Sequence, residues 1–343
     1  MLKLNKYKKI LITQTAFIGD VVLTIPLIAK IKELSPNSQL HVLTTKVSSQ
    51  IISLLKDVDG IIVYDKKGAD KSLKGFLSII SKIRAEKYDL IISPHRSLRT
   101  SLMNFFSKAN TTISFNTADF ALLYSHKIKY NYSLHEIDRN LSLLSQFEEY
   151  QNNKSNQQIS LYFNENIQSN INTLLSNNNI DKYIVIAPGS VWATKRWLPQ
   201  HFTHLIKLIL NTNYKVILTG SKDDSQICRS IMQASNNDKV IDTSGQLTIN
   251  ETIYLISKAT MIVTNDSAPI HFAGLVKTKT IAIFGPTIPE FGFAPRGTND
   301  VVMQINGLKC RPCAIHGSNK CPIGTHECMA MITPNEVFSK MNL

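Results

Sequence analysis

Residues 261–271 read Met261-Ile262-Val263-Thr264-Asn265-Asp266-Ser267-Ala268-Pro269-Ile270-His271. An apolar strand-like run gives way to small and acidic residues and then to a helix-like run, which marks the junction of a strand with a helix N-terminus. Such a junction suits phosphate. The free N–H groups and positive dipole end of a helix attract a diphosphate, Ser267 can cap, and Pro269 fits the first turn, where its missing N–H costs nothing. Alone, the same residues also describe an ordinary capped helix in an α/β domain. Two further junctions tip the balance: Gly189-Ser190-Val191-Trp192-Ala193-Thr194-Lys195-Arg196-Trp197, and Ala16-Phe17-Ile18-Gly19-Asp20 near the N-terminus. Three on one chain point to an enzyme that handles a nucleotide sugar.

Working outward, short apolar runs alternate with helix-like periodic segments. Strands are expected at 9–13, 39–43, 61–64, 88–93 and 111–115, and helices at 22–34, 47–55, 72–86, 97–108 and 135–147. Pro26 conflicts with the first helical pattern, which predicts a kink or a start near residue 25. Residues 146–164 turn polar and asparagine-rich, with no apolar period, and mark a linker or surface crossover. The alternation then resumes, with helices at 165–175, 200–210, 223–234, 250–257 and 270–275 and strands at 183–187, 214–219, 239–242, 260–263 and 280–284. This rhythm predicts two doubly wound Rossmann-like α/β domains, 1–160 and 161–343, with parallel sheets wrapped by helices. Facing each other, they would put the carboxyl ends of both sheets around one cleft.

Composition narrows the classes. The chain has 343 residues, of which 43% are hydrophobic and 18% charged, as in an ordinary soluble globular protein with ample core. The net charge of +13 favours an anionic partner: nucleic acid, an acidic lipid surface or a phosphorylated glycolipid. No apolar run is long enough for a membrane span, and the apolar stretch after Lys8-Lys9 carries Asp20, which fits neither a span nor a secretory h-region. A cytoplasmic location is expected. The first strand is not followed by G-x-G-x-x-G, and no G-x-x-x-x-G-K-[ST] occurs, so a dinucleotide dehydrogenase or Walker ATPase is poorly supported.

Several stretches together resemble glycosyltransferase family 9, the lipopolysaccharide heptosyltransferases. In the first half they are Ile10-Leu11-Ile12 through Gly19-Asp20 to Pro26, Pro94-His95-Arg96-Ser97-Leu98-Arg99, and His135-Glu136-Ile137-Asp138-Arg139-Asn140. In the second they are Ala187-Pro188-Gly189-Ser190, Thr194-Lys195-Arg196-Trp197, the 264–271 junction, Phe284-Gly285-Pro286-Thr287 and the segment from Cys310 to Cys328. The resemblance implies a GT-B fold and inverting, metal-free transfer of heptose from ADP-heptose to the lipopolysaccharide inner core, with no cofactor. Another sugar, destined for O-antigen or capsule, is the alternative within the family.

Residue chemistry can be set against that expectation. Asp20 is the candidate base for the acceptor hydroxyl, with Gly19 allowing a tight turn and close approach. Capping the following helix is its alternative use. The leaving ADP builds negative charge, for which Ser190, Lys195, Arg196, Ser267, Ala268 and the helix N-terminus are candidates. Asp266 would shape the turn or bind a hydroxyl, His271 could donate to the diphosphate, and Thr219, Gly220 and Glu251 are weaker candidates for the adenosine end. His95, Arg96 and Arg99 are candidates for the acidic groups of the glycolipid acceptor, since guanidinium groups fork onto carboxylates and phosphates. The N-terminal lysines (Lys3, Lys6, Lys8, Lys9) and Lys66, Lys67, Lys71 and Lys74 could add peripheral contact with the inner membrane surface.

Two questions stay open at this point. Cys310, Cys313, Cys321 and Cys328 could hold a structural zinc, form a disulfide or remain thiols, since only the first pair has knuckle spacing. No catalytic metal is expected. A nucleic-acid-binding module is the alternative class, motivated by the charge and a sequence pI of 9.4. Against it, the basic residues are dispersed and no usual binding motif occurs.

Overall fold

The computed structural model describes residues 1–66, 68–152 and 159–343. Lys67 and residues 153–158 of the expected linker lie outside them. The chain divides into two compact units, Met1–Tyr162 and Phe163–Leu343. Leu161 and Tyr162 stay with the first because Leu161 bridges Leu55 and the Tyr162 N–H bonds the Leu54 carbonyl at 2.8 Å.

In the first unit the strands are β1 (Lys9–Thr13), β2 (Gln39–Thr44), β3 (Gly60–Val63), β4 (Leu90–Ser93), β5 (Thr111–Phe115) and β6 (His126–Ile128). All pairs are parallel, in the order β3-β2-β1-β4-β5-β6. Its helices are α1 (Ile18–Leu34), α2 (Lys46–Ile52), α3 (Leu73–Ala85), α4 (Leu98–Phe106), α5 (Glu136–Ser142) and α6 (Glu148–Asn152). The second unit has β7 (Tyr183–Ala187), β8 (Lys215–Leu218), β9 (Val240–Asp242), β10 (Met261–Asn265), β11 (Lys279–Ile283) and β12 (Val301–Met303). Its order is β12-β11-β10-β7-β8-β9, again all parallel and the same winding as the first. Its helices are α7 (Glu165–Asn177), α8 (Pro199–Leu210), α9 (Ser225–Ser235), α10 (Ile249–Lys258), α11 (Ala268–Val276), α12 (Glu327–Ala330) and α13 (Pro334–Ser339).

The central strands β1, β4, β7 and β10 are buried almost throughout, as crossover helices on both faces require. In such a sheet the strand order reverses at one point, here between β1 and β4 and between β7 and β10, and ligands bind beyond the carboxyl ends there. Beyond those four strands lie Asp20, in the first turn of α1, then His95-Arg96, Ser190-to-Arg196 and Asp266-to-His271, the last running into α11.

Three expectations need correction. α1 begins at Ile18, with Pro26 inside it, because ten of its residues are buried and packing carries the helix past the missing N–H. Gly19 and Asp20 are therefore its second and third residues rather than a loop, and Gly19 has no left-handed backbone to explain it. The helix expected at 135–147 is only Glu136–Ser142, after which the chain turns.

Candidate functional site

At the first unit's reversal point Asp20 occupies the third position of α1. There the backbone N–H groups of Phe17, the residue before the helix, and of Asp20 itself favour its charged carboxylate. The group is nevertheless half-buried. Burial first, then the negative charge of Glu136, push its pKa from 3.8 up to about 6, against those N–H bonds and the Arg96 guanidinium. Asp20 thus titrates close to neutral pH, where a base works best.

Glu136 comes from α5, which packs on α1; the Asn140 amide, one turn further on, bonds the Leu23 carbonyl at 3.1 Å. Glu136 is buried and held by the Tyr130 hydroxyl at 2.7 Å and Arg139 at 3.0 Å. Arg96 and Arg139 both stack on the Tyr130 ring, at 4.1 and 4.9 Å from its centroid. Burial and Glu136 push the Tyr130 hydroxyl above its ordinary range, so it stays a donor. The result is one carboxylate, Glu136, and two guanidiniums around one aromatic ring, with Asp20 within electrostatic reach of Glu136 and Arg96.

His95 bonds Thr15 at 3.0 Å and Thr100 at 2.7 Å through Nδ1. Burial, then Lys66 and Arg96, lower its pKa to about 4, which leaves it a neutral hydrogen-bonding group at pH 7. Lys66 donates to the Thr15 carbonyl at 2.6 Å and so ties the loop after β3 to the loop after β1. Arg99 donates to the Tyr64 hydroxyl at 2.9 Å and the Lys71 carbonyl at 3.2 Å. It braces the loop before α3, whereas among the described residues Arg96 makes one side-chain bond, to Thr117, beside its stack on Tyr130.

In the second unit Lys195 and Asp266 form an ion pair at 2.6 Å, both largely buried, and Thr287 donates to the same carboxylate oxygen at 2.6 Å. Asp266 therefore orients a lysine as well as shaping the turn. Ser267 precedes α11 but its side chain does not cap it. With extended backbone (φ −155°), its hydroxyl turns to the Gly189 and Asn265 carbonyls at 3.4 and 3.3 Å. Ala268 is the first residue of α11 and Pro269 the second, while His271 is the fourth and half-buried. Ser190 is buried and its carbonyl accepts Arg196 Nε at 2.8 Å.

Asn265 was not singled out by sequence reasoning, yet it staples the site. Fully buried at the end of β10, its amide donates to the Pro188 carbonyl at 2.8 Å and accepts the Trp197 N–H at 3.0 Å, gripping both ends of the loop after β7. Trp197 anchors that loop in the core, its Nε1 donating to the Ile332 carbonyl at 3.0 Å. A polar residue ending an otherwise apolar strand run was the available signal. A side chain on Gly189 would meet the Asp224 carboxylate at 2.2 Å and one on Gly220 its Cβ at 2.8 Å, so both glycines admit the capping box before α9. Thr219 is buried, and its hydroxyl has no hydrogen-bond partner among the described residues. Glu251 is occupied locally by the Thr248 N–H and hydroxyl and by Asn170 at 2.7 Å. Burial raises its pKa, but those bonds outweigh it and hold it below the ordinary value.

All five cysteines are free thiols, and among the described residues no three His, Cys, Asp or Glu gather closely enough to hold an ion. The 310–328 segment instead clasps the lysine loop. Ser318 exchanges bonds with Thr194 at 2.8 to 3.0 Å, His326 bonds the Thr194 carbonyl at 2.8 Å, and the Cys313 N–H bonds the Pro286 carbonyl at 2.9 Å. Arg311 holds the Thr287 carbonyl at 2.8 Å. Burial and the neighbouring thiols, Cys313 foremost, push Cys328 up to about 11, whereas the backbone N–H groups of His326, Ile323, Gly324 and Thr325 hold Cys321 below the usual thiol value.

The architecture is that of solved GT-B enzymes. A family 9 glycosyl transferase from Veillonella parvula superposes with a TM-score of 0.88 at 22% identity, covering 100% of this chain and 97% of that one. The E. coli ADP-heptose lipopolysaccharide heptosyltransferase II gives 0.79 at 21%, covering 97% of each. The model of glycosyltransferase family 9 (heptosyltransferase) matches residues 76–322, and this chain belongs to that family. Among relatives, lipooligosaccharide heptosyltransferase 2 of Campylobacter jejuni is 25% identical over 342 residues, 97% of this chain and 98% of that protein. Its Haemophilus influenzae namesake is 30% identical over 165 residues, an alignment spanning 46% of either chain.

Proposed function

We propose that this enzyme transfers heptose from ADP-heptose to the inner core of lipopolysaccharide, with inversion, without a metal, and with Asp20 as general base. The observation that carries the reading is Asp20 itself, a half-buried carboxylate beyond β1 whose surroundings bring it to about 6. The acceptor hydroxyl gives its proton to Asp20 as its oxygen bonds the anomeric carbon. The bond from that carbon to the β-phosphate oxygen breaks, and ADP leaves with the electron pair. The first unit then takes the acceptor, with Arg96 the arginine better suited to its acidic groups, and the second takes the nucleotide.

Support for the donor side is chemical. Lys195 is oriented by Asp266 and Thr287, Arg196 follows it in the chain, and α11 presents its N-terminus beside them, a gathering of positive groups of the kind that offsets the charge a leaving diphosphate gains. Ser190, His271 and Thr219 complete the set. The relatives named above are heptosyltransferases, and their donors and acceptors are taken over here as part of the proposal. Among the described residues no helix is long and apolar enough to cross a membrane, and a cytoplasmic enzyme meeting the membrane peripherally fits the glycolipid acceptor.

The test is transfer from ADP-heptose to a heptose-deficient core glycolipid in EDTA, with product anomer read by NMR. Transfer with inversion, abolished by Asp20→Asn, is expected. Transfer only of another sugar would move the enzyme to a different branch of the family, and reversible loss on chelation would remove the metal-free mechanism.

A further inference from the structure

The first unit carries an apolar surface that its own core does not need. On α4 the residues Leu98, Leu102, Phe105 and Phe106 recur at the helical spacing i, i+4, i+7, i+8. Leu98, Phe105 and Phe106 are 41%, 48% and 48% exposed, while Thr100, Ser101, Met103 and Asn104 face inward. The two phenyl rings meet edge to face at 5.2 Å. Beside them the turn at Ala121–Leu123 packs on α4 and presents Phe120 and Leu122, 61% and 88% exposed.

This arrangement is built. Asp119 accepts the Leu98 N–H at 2.9 Å and donates its own N–H to the Arg96 carbonyl at 2.8 Å, so the turn is tied to the start of α4. Leu98, Asp119 and Phe120 line one shallow depression. Behind it the Asn104 amide bonds the Tyr124 hydroxyl at 3.1 Å, which fixes the inner side of the turn and turns Leu122 outward. Phe120 has φ of 54°, a left-handed backbone that a bulky side chain adopts only under constraint, and it spends that strain on exposing a ring to water.

The charge around the patch has one sign. From residue 94 to 130 the basic residues are Arg96, Arg99, Lys108, Lys127 and Lys129, against the single acid Asp119. Lys108, Lys127 and Lys129 are exposed. Leucine and phenylalanine flanked by lysine is the make-up of a surface that lies in the headgroup region of an anionic bilayer. A protein partner would not require so one-sided a charge.

We propose that the outer face of α4 and the Phe120–Leu122 turn dock on an anionic phospholipid leaflet, with Phe105, Phe106, Phe120 and Leu122 inserted among the acyl chains and the lysines on the headgroups. The patch starts at Leu98, two residues beyond Arg96, so docking brings the candidate acceptor site to the membrane in which a glycolipid is embedded. The lysine groups weighed from the sequence, at the N-terminus and around Lys66, play no part in it. That the docked substrate is a glycolipid rests on the function proposed above, but the docking itself does not.

The full chain is tested by co-sedimentation with vesicles of phosphatidylethanolamine containing about a quarter phosphatidylglycerol, against pure phosphatidylcholine. Wild type is compared with Leu122→Asp and with Phe105→Ser/Phe106→Ser. The account expects binding to the anionic vesicles only, weakened about tenfold or more by either variant, with ADP affinity unchanged. Turnover should fall on acceptor embedded in vesicles and stay at the wild-type level on a deacylated, soluble acceptor. Leu122 is almost wholly exposed, so its variant reads out docking even if the double variant fails to fold. Anionic vesicle binding without turnover on either acceptor would sink the proposed function and leave this inference standing. Wild type that ignores anionic vesicles, variants that bind like wild type, or a dimer in ultracentrifugation that Leu122→Asp dissociates would each overturn it.

Discussion

The two units share one winding and differ in what they hold at its reversal point. The first, residues 1–162, has 22 Lys and Arg against 13 Asp and Glu, a net +9, yet centres its reversal point on an acid, Asp20, whose proton affinity is raised by burial and Glu136. The second, residues 163–343, has 16 against 12, a net +4, and centres its own on Lys195, clasped by Asp266 beside a helix N-terminus. Folds of this topology bind ligands at the reversal point, and on the proposed function a few side chains decide whether that place takes a proton or holds an anion.

If the division of labour is right, the largest effect comes from the first unit's acid. Asp20→Asn should cut single-turnover transfer by about 10²–10⁴ while the ADP dissociation constant in calorimetry stays unchanged. The same variant should be more stable than wild type at pH 8. A pKa raised from 3.8 to about 6 means the folded state binds the proton more tightly than the unfolded state. The ionised group therefore costs the fold up to about 3 kcal/mol, in full above pH 6 and not at all below about pH 4. Asn should recover about 1–2 kcal/mol at pH 8 in denaturant titration and nothing at pH 4. A variant that keeps half its turnover erases the contrast between the units.

In the second unit Lys195→Ala should weaken both ADP binding and turnover, each by about ten- to a hundredfold, since the diphosphate charge exists in the ground state and grows as the bond breaks. Asn265→Ala would leave the Pro188 carbonyl and Trp197 N–H unpaired in the core and should destabilise by about 2–4 kcal/mol in urea. An intact melting curve there would show that the loop after β7 needs no staple.

The arginines sharpen the comparison further. Arg96→Ala should raise acceptor KM about tenfold and soften its salt dependence, whereas Arg99→Ala, which loses the brace to Tyr64 and Lys71 and the contact over the Phe76 ring, should act chiefly on stability. Smallest of all, Glu251→Gln should leave ADP affinity untouched, because its carboxylate is engaged by Thr248 and Asn170; a tenfold loss would return it to the adenosine site.

Much of the architecture was legible because the central strands are short β-branched runs buried on both faces and bounded by turns. β6 and β12 were not, being three-residue edges (His126–Ile128 and Val301–Met303) with too little apolar sequence to stand out. The start of α1 was hidden because a helix apolar nearly all round shows no 3.6-residue period, and Pro26 argued against it. The site was readable as loops but not as pairings. Nothing in the chain spells out that Asp266 pairs Lys195, that Ser267 turns from its cap, or that Glu136, 116 residues from Asp20, acts on it. Those follow from strand order, which brings distant loops to one reversal point.

The claim at the centre is that Asp20 works as a base because of what surrounds it, and the pH dependence of kcat/KM for wild type and Glu136→Gln tests it most directly. Besides Glu136, the charge acting on Asp20 is Arg96, which lowers its pKa; His95, with a pKa of about 4, stays neutral across the range. Wild-type kcat/KM should fall on the acid side with a midpoint near 6, and removing the Glu136 charge should move that limb to lower pH while ADP affinity holds. A profile flat from pH 5 to 8, or a limb that stays put or moves up in Glu136→Gln, would contradict the account.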